Sequence, residues 1–253
     1  MTALAHPKNV RVEVRDLRKG FHGIEVLKGI SFRVDPGELF VIMGSSGSGK
    51  TVLLKHLIGL LTPDAGEILV EGQSIQKPEV REQYRMAMVF QSAALLDSLT
   101  VGENVGLYQS EHQLKPPAEI QAMVARALET VGLKGLEDRS PTELSGGMQK
   151  RVAIARALVV EPQLVLFDEP TSDLDPLMAV TIGQEILKLN RRTGATSVIV
   201  THDRDLAFAA ANRIAMIEDG RILFIGTPSE VQNSPDPRIQ KFIRAELLPP
   251  APH

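Results

Sequence analysis

The pattern of apolar and polar positions predicts six strands along the chain. Residues 10–14 and 30–34 alternate between apolar and polar positions, which is typical of strands with one buried face. Residues 38–43 are mainly apolar and lead into a glycine-rich turn, as a strand buried on both sides would. Shorter apolar runs predict further strands over residues 86–90, 164–167 and 197–201.

Helical signals separate these strands. Residues 51–61 predict a helix that ends near Gly59 and Pro63, and residues 176–190 predict another. Residues 117–131 predict an amphipathic helix, and a further helix follows residues 145–147. Strands that alternate with helices favour an α/β fold with a mostly parallel core sheet covered on both faces.

The distribution of these patterns also predicts how the chain is divided. Residues from about 91 to 160 contain helical patterns and no strand signal, so we expect a helical subdomain inserted into the main domain. The main domain is expected to cover residues 1–232. Residues 233–253 form a tail that is rich in proline at both ends, with a short helical centre at residues 239–247.

Composition narrows the class of protein. The formal net charge of -3 over 253 residues gives no sign of bulk electrostatic binding, so we expect no nucleic acid partner. The chain has no cysteine, which excludes disulfides and cysteine zinc sites and fits a reducing compartment. No stretch has the roughly 20 apolar residues that span a bilayer, and residues 1–10 lack the apolar core of a signal peptide. We therefore expect a soluble, cytoplasmic chain that reaches a membrane only through a partner.

Eight consecutive residues after the strand at 38–43 fit the phosphate-binding pattern G-x-x-x-x-G-K-[ST]. They are Gly44, Ser45, Ser46, Gly47, Ser48, Gly49, Lys50 and Thr51. Glycines let successive backbone N–H groups curl around phosphate oxygens, and the N-terminus of the following helix adds partial positive charge. Lys50 would place its charge on the β- and γ-phosphates, and Thr51 would offer a hydroxyl to Mg²⁺. Val52, which follows in the same helix, is included among the predicted nucleotide contacts.

Two carboxylates follow the apolar strand at 164–167. They belong to Asp168 and Glu169, and Pro170 comes next. The carboxyl ends of strands in a parallel sheet line the ligand crevice. Asp168 is therefore placed to hold Mg²⁺, and Glu169 is placed to orient and deprotonate an attacking water.

Several short motifs then resemble one family, the ATP-binding-cassette (ABC) ATPases. Residues 144–149, which read L-S-G-G-M-Q, are similar to the family's L-S-G-G-Q signature and precede the acidic strand as in that family. Gln91 resembles the Q-loop glutamine, His202 resembles the switch histidine, and residues 172–175 resemble the D-loop. Phe21 stands where the family places an aromatic ring against adenine. Two positions depart from the family pattern: Met148 replaces the signature glutamine, and Asp173 replaces a small D-loop residue.

The resemblance implies a fold, a reaction and a set of ligands. The fold is the P-loop NTPase fold of an ABC cassette, with an N-terminal antiparallel β region added to the parallel core sheet. The reaction is ATP hydrolysis, with Lys50, Gln91, Glu169 and His202 as catalytic residues. The metal is Mg²⁺, held by Thr51, Gln91 and Asp168.

The same resemblance implies a dimer and a membrane partner. Two copies would face each other head to tail, so that Ser145, Gly146 and Gly147 of one copy contact the ATP held by the phosphate loop of the other. The N-terminus of the signature helix would be a second anion-binding site, and it would act through backbone N–H groups and the helix dipole as the phosphate loop does. A membrane permease would dock on the dimer, which places the chain peripherally on the cytoplasmic membrane.

Three further segments resemble the ATPases that work with mammalian-cell-entry (MCE) proteins in bacterial phospholipid transport, such as the Mla system. These segments are residues 90–101, the signature ending in Met148, and residues 234–238. An MCE-domain substrate protein is then an implied partner. One alternative is the ATPase of an importer for amino acids or other small solutes, which shares every catalytic motif. A second alternative is a soluble ABC ATPase that acts on ribosomes or DNA, although such proteins usually carry two cassettes or a long coiled coil.

The remaining conspicuous residues have ordinary structural interpretations. Arg151 and Arg156, which follow the signature, are expected on a solvated face that forms salt bridges. Met86 and Met88 are expected in the core. The apolar run at residues 93–96 is expected to form an exposed patch that contacts the permease, in a groove between the main sheet domain and the helical subdomain. The alternative is that these residues pack into the helical subdomain. The histidines other than His202 are at positions 6, 22, 56, 112 and 253. They lack neighbours at ligand spacing and are expected at the surface or in packing.

Overall fold

A computed structural model describes residues 9–243 of the chain. In that range the strands, in chain order, are β1 (Val12–Phe21), β2 (Ile24–Val34), β3 (Leu39–Gly44), β4 (Ala65–Val70), β5 (Gln73–Ser74), β6 (Met86–Val89), β7 (Leu164–Asp168), β8 (Thr196–Thr201), β9 (Arg213–Glu218) and β10 (Arg221–Gly226). The α-helices are α1 (Lys50–Leu57), α2 (Pro78–Gln83), α3 (Val101–Glu111), α4 (Pro117–Thr130), α5 (Gly146–Val159), α6 (Pro176–Thr193), α7 (Arg204–Ala210), α8 (Pro228–Gln232) and α9 (Pro237–Ile243).

A six-stranded sheet forms the centre of the fold. Its strand order is β10-β9-β3-β8-β7-β6, and all neighbours are parallel except β10 and β9. Every residue of β3, β7 and β8 is buried. Alternate side chains of β3 enter two separate cores: Leu39, Val41 and Met43 pack on one face, whereas Phe40 and Ile42 pack on the other. The predicted α/β fold, with a parallel sheet covered on both faces, is confirmed.

A second, antiparallel sheet covers one of these two cores. Its strand order is β2-β1-β4-β5, and each neighbouring pair is antiparallel. Its buried side chains share a core with the apolar face of α1 and with one face of the central sheet. The rings of Phe32 and Phe40 stack across this interface with centroids 5.2 Å apart. This sheet is the N-terminal antiparallel β region that the family resemblance implied.

Helices α3, α4 and α5 follow one another between β6 and β7 and pack together on the other core. Gly106 permits the close approach of α3 to α4, because a Cβ atom at this position would lie 3.1 Å from the side chains of Ile120 and Val124. Their order agrees with the predicted helical segment at about 91–160. The boundaries of that subdomain and of the domain over 1–232 stay predictions.

The predicted tail begins inside the described range. Ile239 of α9 is 1% exposed and packs in the same core as the three helices. Residues 244–247 of the predicted tail helix, and His6 and His253, lie outside the described residues. Within residues 9–243, no helix combines the length and apolar character needed to cross a membrane.

The prediction for Arg151 and Arg156 is wrong. Arg156 is partly buried and donates hydrogen bonds to the backbone oxygens of Ala94 and Ala93, at 2.7 and 2.8 Å. Arg151 donates to the backbone oxygen of Val131 at 3.1 Å. Neither guanidinium forms an ion pair with a residue in the described range, because α5 is packed on several sides and its arginines face backbone carbonyls.

The apolar run at residues 93–96 is only partly exposed. Ala93 is 2% exposed, and Leu95 packs against the core of the three helices. Leu96 is 46% exposed and Ala94 is also exposed. The expected continuous apolar patch is therefore wrong, because backbone turns at Ala93 and Ala94, with φ of 62° and 47°, send neighbouring side chains in different directions.

Candidate functional site

Three adjacent strands bring the predicted catalytic residues together. β8 lies between β3 and β7, and all three are parallel, so their carboxyl ends meet at one edge of the sheet. The phosphate loop follows β3, Glu169 follows β7, and His202 follows β8. This is the edge at which ligands bind in open α/β sheets.

The phosphate loop has the backbone shape that its glycines predict. Gly47 and Gly49 have φ of 80° and 97°, a region that side chains other than glycine's rarely adopt. A Cβ atom at Gly44 would lie 2.3 Å from the backbone oxygen of Ile217, so the neighbouring strand excludes any larger residue. Lys50 opens α1, and its Nζ donates to the backbone oxygens of Gly44 and Ser45 at 2.8 and 3.0 Å.

A cavity of about 450 Å³ lies over the loop at this edge of the sheet. Its predicted lining residues are Ser46, Gly47, Gly49, Lys50, Thr51, Val52, Gln91, Glu169 and His202. Val26 of β2 also lines it, and no sequence pattern pointed to this position. The structure thus places residues from the phosphate loop, the Q-loop, the acidic strand and β8 around one space.

Lys50, Glu169 and His202 form a charged cluster in this cavity. Glu169 Oε1 lies 3.5 Å from Lys50 Nζ. Glu169 Oε2 accepts from the backbone N–H of His202 at 3.2 Å and lies 2.9 Å from His202 Nδ1. Glu169 is 9% exposed and has φ of 45°, a strained conformation for a residue with a side chain. The carboxylate is therefore fixed from several directions.

Asp168 lies one residue earlier and contacts the phosphate loop. Thr51 Oγ1 donates to Asp168 Oδ1 at 3.0 Å. Burial raises the pKa of the Asp168 carboxyl above its usual range; the Thr51 hydrogen bond opposes this shift and the charge of Glu169 adds to it. A cation beside Asp168 would stabilise the ionised carboxylate that burial disfavours.

The oxygens near Asp168 fit Mg²⁺. Thr51 and Asp168, which are hydrogen-bonded to each other, supply hydroxyl and carboxylate oxygens, and Gln91, which lines the same cavity as Thr51, carries an amide oxygen. Such oxygens are the hard donors that this ion prefers. Between residues 9 and 243, no group of three or more His, Cys, Asp or Glu residues could hold a metal by itself. This donor set suits an ion that takes its remaining ligands from water and phosphate.

The signature residues do not line this cavity. Ser145 caps α5, with its Oγ accepting from the backbone N–H of Met148 at 3.4 Å. Ser145 and Gly146 are exposed, so the N-terminus of α5 faces solvent. Gly147 is buried, and a Cβ atom there would lie 2.3 Å from the end of the Met178 side chain. The cavity and the exposed signature are thus two separate surfaces of one chain.

The remaining predicted contacts also lie outside the lining of the cavity. Phe21 is 38% exposed on the hairpin between β1 and β2, and Lys19 Nζ is 5.4 Å from its ring centroid. Ser45 is exposed, whereas Ser48 is buried in the loop and its Oγ has no partner among the described residues. Gly44 is buried at the end of β3.

Lys150 of α5 is a buried polar residue that motif analysis missed. It is 7% exposed, and its Nζ donates to the backbone oxygen of Ser172 at 2.6 Å. Burial lowers the pKa of its ammonium, which nearby Asp173 and Glu169 partly restore. Its spacing from Gly147, Ile154 and Ala157, which are also buried, could have revealed it, because this spacing follows one face of a helix.

Comparison with known proteins supports the interpretation of these motifs. A family model described as ABC transporter matches residues 27–172. The chain is 38% identical over 264 residues to the protein trigalactosyldiacylglycerol 3, chloroplastic, of Arabidopsis thaliana, covering 96% of this chain and 76% of that protein. It is 36% identical over 248 residues to a probable ribonucleotide transport ATP-binding protein, mkl, of Mycobacterium leprae, covering 96% and 72%. It is 40% identical over 227 residues to the sulfate/thiosulfate import ATP-binding protein CysA of Bradyrhizobium diazoefficiens, covering 88% and 66%.

Solved structures share the fold. A dimer of the ATP-binding cassette MJ0796, in a post-hydrolysis state with ADP and phosphate, is 31% identical with a TM-score of 0.77, covering 86% of this chain and 98% of that one. CbiO1 of Clostridium perfringens, part of the ABC transporter complex cbiONQ, is 30% identical with a TM-score of 0.79, covering 92% and 98%. The chain belongs to the ABC transporter family and is an ATP-binding subunit that hydrolyses ATP to drive transport.

Proposed function

We propose that this ATPase drives phospholipid transport in a complex with a membrane permease and an MCE-domain substrate protein. The observation that carries the proposal is the combination of Met148, residues 90–101 and residues 234–238, which together resemble the MCE-associated ATPases. A relative named after the lipid trigalactosyldiacylglycerol matches 96% of the chain, whereas the sulfate importer subunit matches 88%. The resemblance to this relative thus extends over more of the chain than the resemblance to the importer subunit.

The segments that carry this resemblance are well ordered by local contacts. Asn104 of α3 is fully buried; its Oδ1 accepts from the Leu96 N–H at 2.8 Å, and its Nδ2 donates to the Leu96 backbone oxygen at 3.0 Å. At residues 234–238, Arg238 pairs with Asp236 at 2.6 Å, and Gln240 Nε2 donates to the Ser234 backbone oxygen at 2.8 Å. These hydrogen bonds and this ion pair therefore hold both segments in defined conformations.

In the proposed mechanism, ATP binds in the cavity over the phosphate loop. Backbone N–H groups of residues 44–51 surround the phosphates, and Lys50 turns from Glu169 to the β- and γ-phosphates. Phe21 packs against adenine. Thr51, Gln91 and Asp168 would hold Mg²⁺, which would supply positive charge near the phosphate oxygens.

Glu169 then acts as the base for hydrolysis. Once a phosphate competes for Lys50, the Glu169 carboxylate is free to face the attacking water and accept its proton. His202 holds Glu169 Oε2 through Nδ1 and its backbone N–H, so the carboxylate keeps its orientation. Gln91 lines the same cavity and would orient the attacking water.

The Glu169 role is tested by Glu169→Gln. The amide keeps the side-chain shape but cannot accept a proton, so the variant should bind ATP, lose turnover by about 100-fold or more, and accumulate as a closed ATP-bound dimer. Phosphate release, together with crosslinking in ATP and Mg²⁺, measures both effects. Turnover close to that of the wild type would remove Glu169 from this role.

Two copies of the chain complete each site. The exposed N-terminus of α5 is separated from the cavity of its own chain, as a head-to-tail arrangement requires. Ser145, Gly146 and Gly147 of one copy would bind the γ-phosphate held by the other. Solved relatives of the same fold are dimers, which supports this arrangement.

The permease is proposed to dock beside α3 and α4. A groove of about 780 Å³ lies there, with Ile120 and Val124 on its floor and Glu103, Glu137 and Asp138 at its sides. An amphipathic segment with an apolar face and basic residues would complement it. Residues 93–96 do not line this groove, although the exposed Leu96 precedes α3. Docking would hold the chain peripherally on the cytoplasmic side of the membrane.

The cassette proper is proposed to span residues 1–232, with the helical subdomain at about 91–160 inserted and residues 233–253 as a tail. The contact of Ile239 with the main core suggests that the first part of the tail moves with the cassette. Limited proteolysis followed by mass spectrometry would locate the boundary. Cleavage before residue 233 with loss of ATPase activity would contradict this division.

Affinity purification from native membranes tests the transport assignment. A permease and an MCE-domain protein should be recovered together, and ATPase activity of the complex should respond to phospholipid. The second candidate is an importer of a small solute, which the 40% identity to a sulfate/thiosulfate import subunit favours. Recovery of a solute-importer permease, without an MCE-domain protein and without a phospholipid response, would reject the lipid function in favour of this one.

A further inference from the structure

The signature helix α5 contacts the loop that carries Glu169 through one buried lysine. Lys150 lies just beyond the first turn of α5, five residues after the capping Ser145. Its Nζ donates to both oxygens of Ser172: 2.6 Å to the backbone oxygen and 3.3 Å to Oγ. The ammonium therefore contacts the first residue of the D-loop segment 172–175, three residues after Glu169.

Ser172 passes this contact on to Glu169 itself. Its Oγ donates to the backbone oxygen of Glu169 at 2.8 Å, and its backbone N–H donates to the same oxygen at 3.2 Å. Lys150, Ser172 and Glu169 thus form a continuous chain of hydrogen bonds. This chain of hydrogen bonds ends at the backbone oxygen of Glu169, and the backbone of Glu169 determines where its side chain points.

The segment held in this way is strained. Glu169 and Asp173 have φ of 45° and 60°, in the left-handed region that residues with side chains adopt uncommonly and that Asp tolerates better than Glu. Such conformations persist only where surrounding contacts impose them. The hydrogen bonds of Ser172 and Lys150 lie directly between the two strained residues.

Burial of Lys150 is otherwise unexplained. Among the described residues it forms no ion pair, and it lies outside the lining of the cavity. An apolar side chain of the same length would avoid the cost of taking a charge out of water. A charged donor forms a stronger hydrogen bond to the Ser172 oxygen than a neutral donor would. This stronger bond offers a reason why a lysine is buried here.

We propose that Lys150 is a positioning residue for ATP hydrolysis, which fixes the backbone of Glu169 through Ser172. It links the signature helix, which binds the partner's nucleotide in the proposed dimer, to the base of its own site. Movement of α5 on binding that nucleotide would be transmitted to Glu169 by this contact. The inference rests on the proposed role of Glu169 as the base.

The experiment compares Lys150→Met, Lys150→Arg and Lys134→Met in the full chain within its purified transporter. Lys150→Met removes the donor while preserving length, so kcat should fall at least about tenfold while KM for ATP changes less than about threefold. A misplacement of about 1 Å can reduce a catalytic rate by about 100-fold. Lys150→Arg keeps a charged donor and should restore most of kcat. Lys134 is exposed and pairs with Glu129 at the surface, so Lys134→Met should behave as wild type.

Ser172→Ala provides a second test that leaves the packing of α5 intact. It removes the Oγ link to Glu169 but keeps the backbone oxygen that Lys150 contacts, so kcat should fall less than in Lys150→Met, again at constant KM. If Lys150→Met does not fold, Ser172→Ala decides the question. An unchanged kcat in Ser172→Ala would then overturn the proposal.

Two other results would also overturn it. One is wild-type kcat in a folded Lys150→Met; the other is a parallel loss of kcat, ATP affinity and thermal stability, which would indicate a merely structural residue. Glu169→Gln is measured alongside. If Glu169→Gln is inactive and Lys150→Met is fully active, only the role of Lys150 fails; if Glu169→Gln is active, the proposed base fails and the inference fails with it.

Discussion

Arg156→Met should loosen the segment that follows the Q-loop glutamine. Arg156 holds this segment with two hydrogen bonds, to the backbone oxygens of Ala93 and Ala94 at 2.8 and 2.7 Å. Both alanines have φ in the left-handed region, which costs about 1–2 kcal/mol per residue. Without the guanidinium, the burial of Ala93 and the hydrogen bond from its N–H to the Phe90 oxygen still hold that residue, but the oxygens of Ala93 and Ala94 lose their charged donor.

The size of the effect follows from these contacts. A hydrogen bond to a charged group contributes about 1.5–3 kcal/mol, so two contribute about 3–6 kcal/mol. Removal of a partly buried charge offsets some of this loss, because burial disfavours the ionised form and lowers the pKa of Arg156. A net loss of about 3 kcal/mol would raise local opening by roughly 100-fold. Arg156→Lys keeps the charge but replaces two separate guanidinium nitrogens with one ammonium on a shorter side chain, so about half the loss, or roughly tenfold, is expected.

Amide hydrogen exchange measures this opening directly. The reporters are the N–H groups of Ala93, Leu96 and Leu99, which donate at 3.0, 2.8 and 3.1 Å to partners in or next to the segment. Arg126→Met on α4 is the control, because Arg126 is exposed. Unchanged exchange at these amides, or the same increase in the control, would refute the reasoning.

Three further predictions concern the site itself. Lys50→Ala should weaken ATP binding by about tenfold or more and abolish turnover, because a charge on the phosphates is lost; undiminished affinity in equilibrium binding would contradict the phosphate-loop assignment. Ser145→Arg should stop phosphate release yet leave ATP affinity of the isolated chain nearly unchanged, since Ser145 does not line its own cavity; full turnover would show that each site is complete within one chain. Asp168→Asn should raise the thermal midpoint of the nucleotide-free chain at neutral pH. Burial raises the folded-state pKa of Asp168, so its ionisation costs stability above the unfolded-state pKa, and the advantage of the variant should shrink as pH falls through the folded-state pKa. A lower midpoint at neutral pH would refute this.

The sequence predicted the fold and the main catalytic cluster because both depend on short-range patterns. The phosphate loop and the acidic pair each follow an apolar strand, and parallel strands place their carboxyl ends at one edge. Adjacency of β3, β8 and β7 then brought Lys50, Glu169 and His202 within hydrogen-bond or ion-pair distance. Local patterns were enough to name Lys50 and Glu169, whereas His202 was named from the family resemblance.

What the sequence did not predict depends on which faces of a helix are covered. Arg156 and Lys150 are charged, and charge on a helix usually indicates a solvated face. In α5 most faces are buried, so both side chains end on backbone oxygens from distant segments. The left-handed backbone conformations of Ala93 and Glu169 could not be predicted from the sequence either. Such conformations are imposed by tertiary contacts and not by residue type.

The hydrogen-bond register of the central sheet has an evolutionary consequence. One residue inserted into β8 would move everything beyond it by about 3.3 Å and reverse the side on which each later side chain points. His202 would then no longer meet Glu169, although no motif had been altered. The turn between β4 and β5 is different: a Cβ atom at Gly72 would touch nothing within 4 Å, and the turn contributes no residue to the lining of the cavity. Insertions and deletions should therefore accumulate at this turn during evolution. They should be rare in β3, β7 and β8, even at positions where substitutions are tolerated.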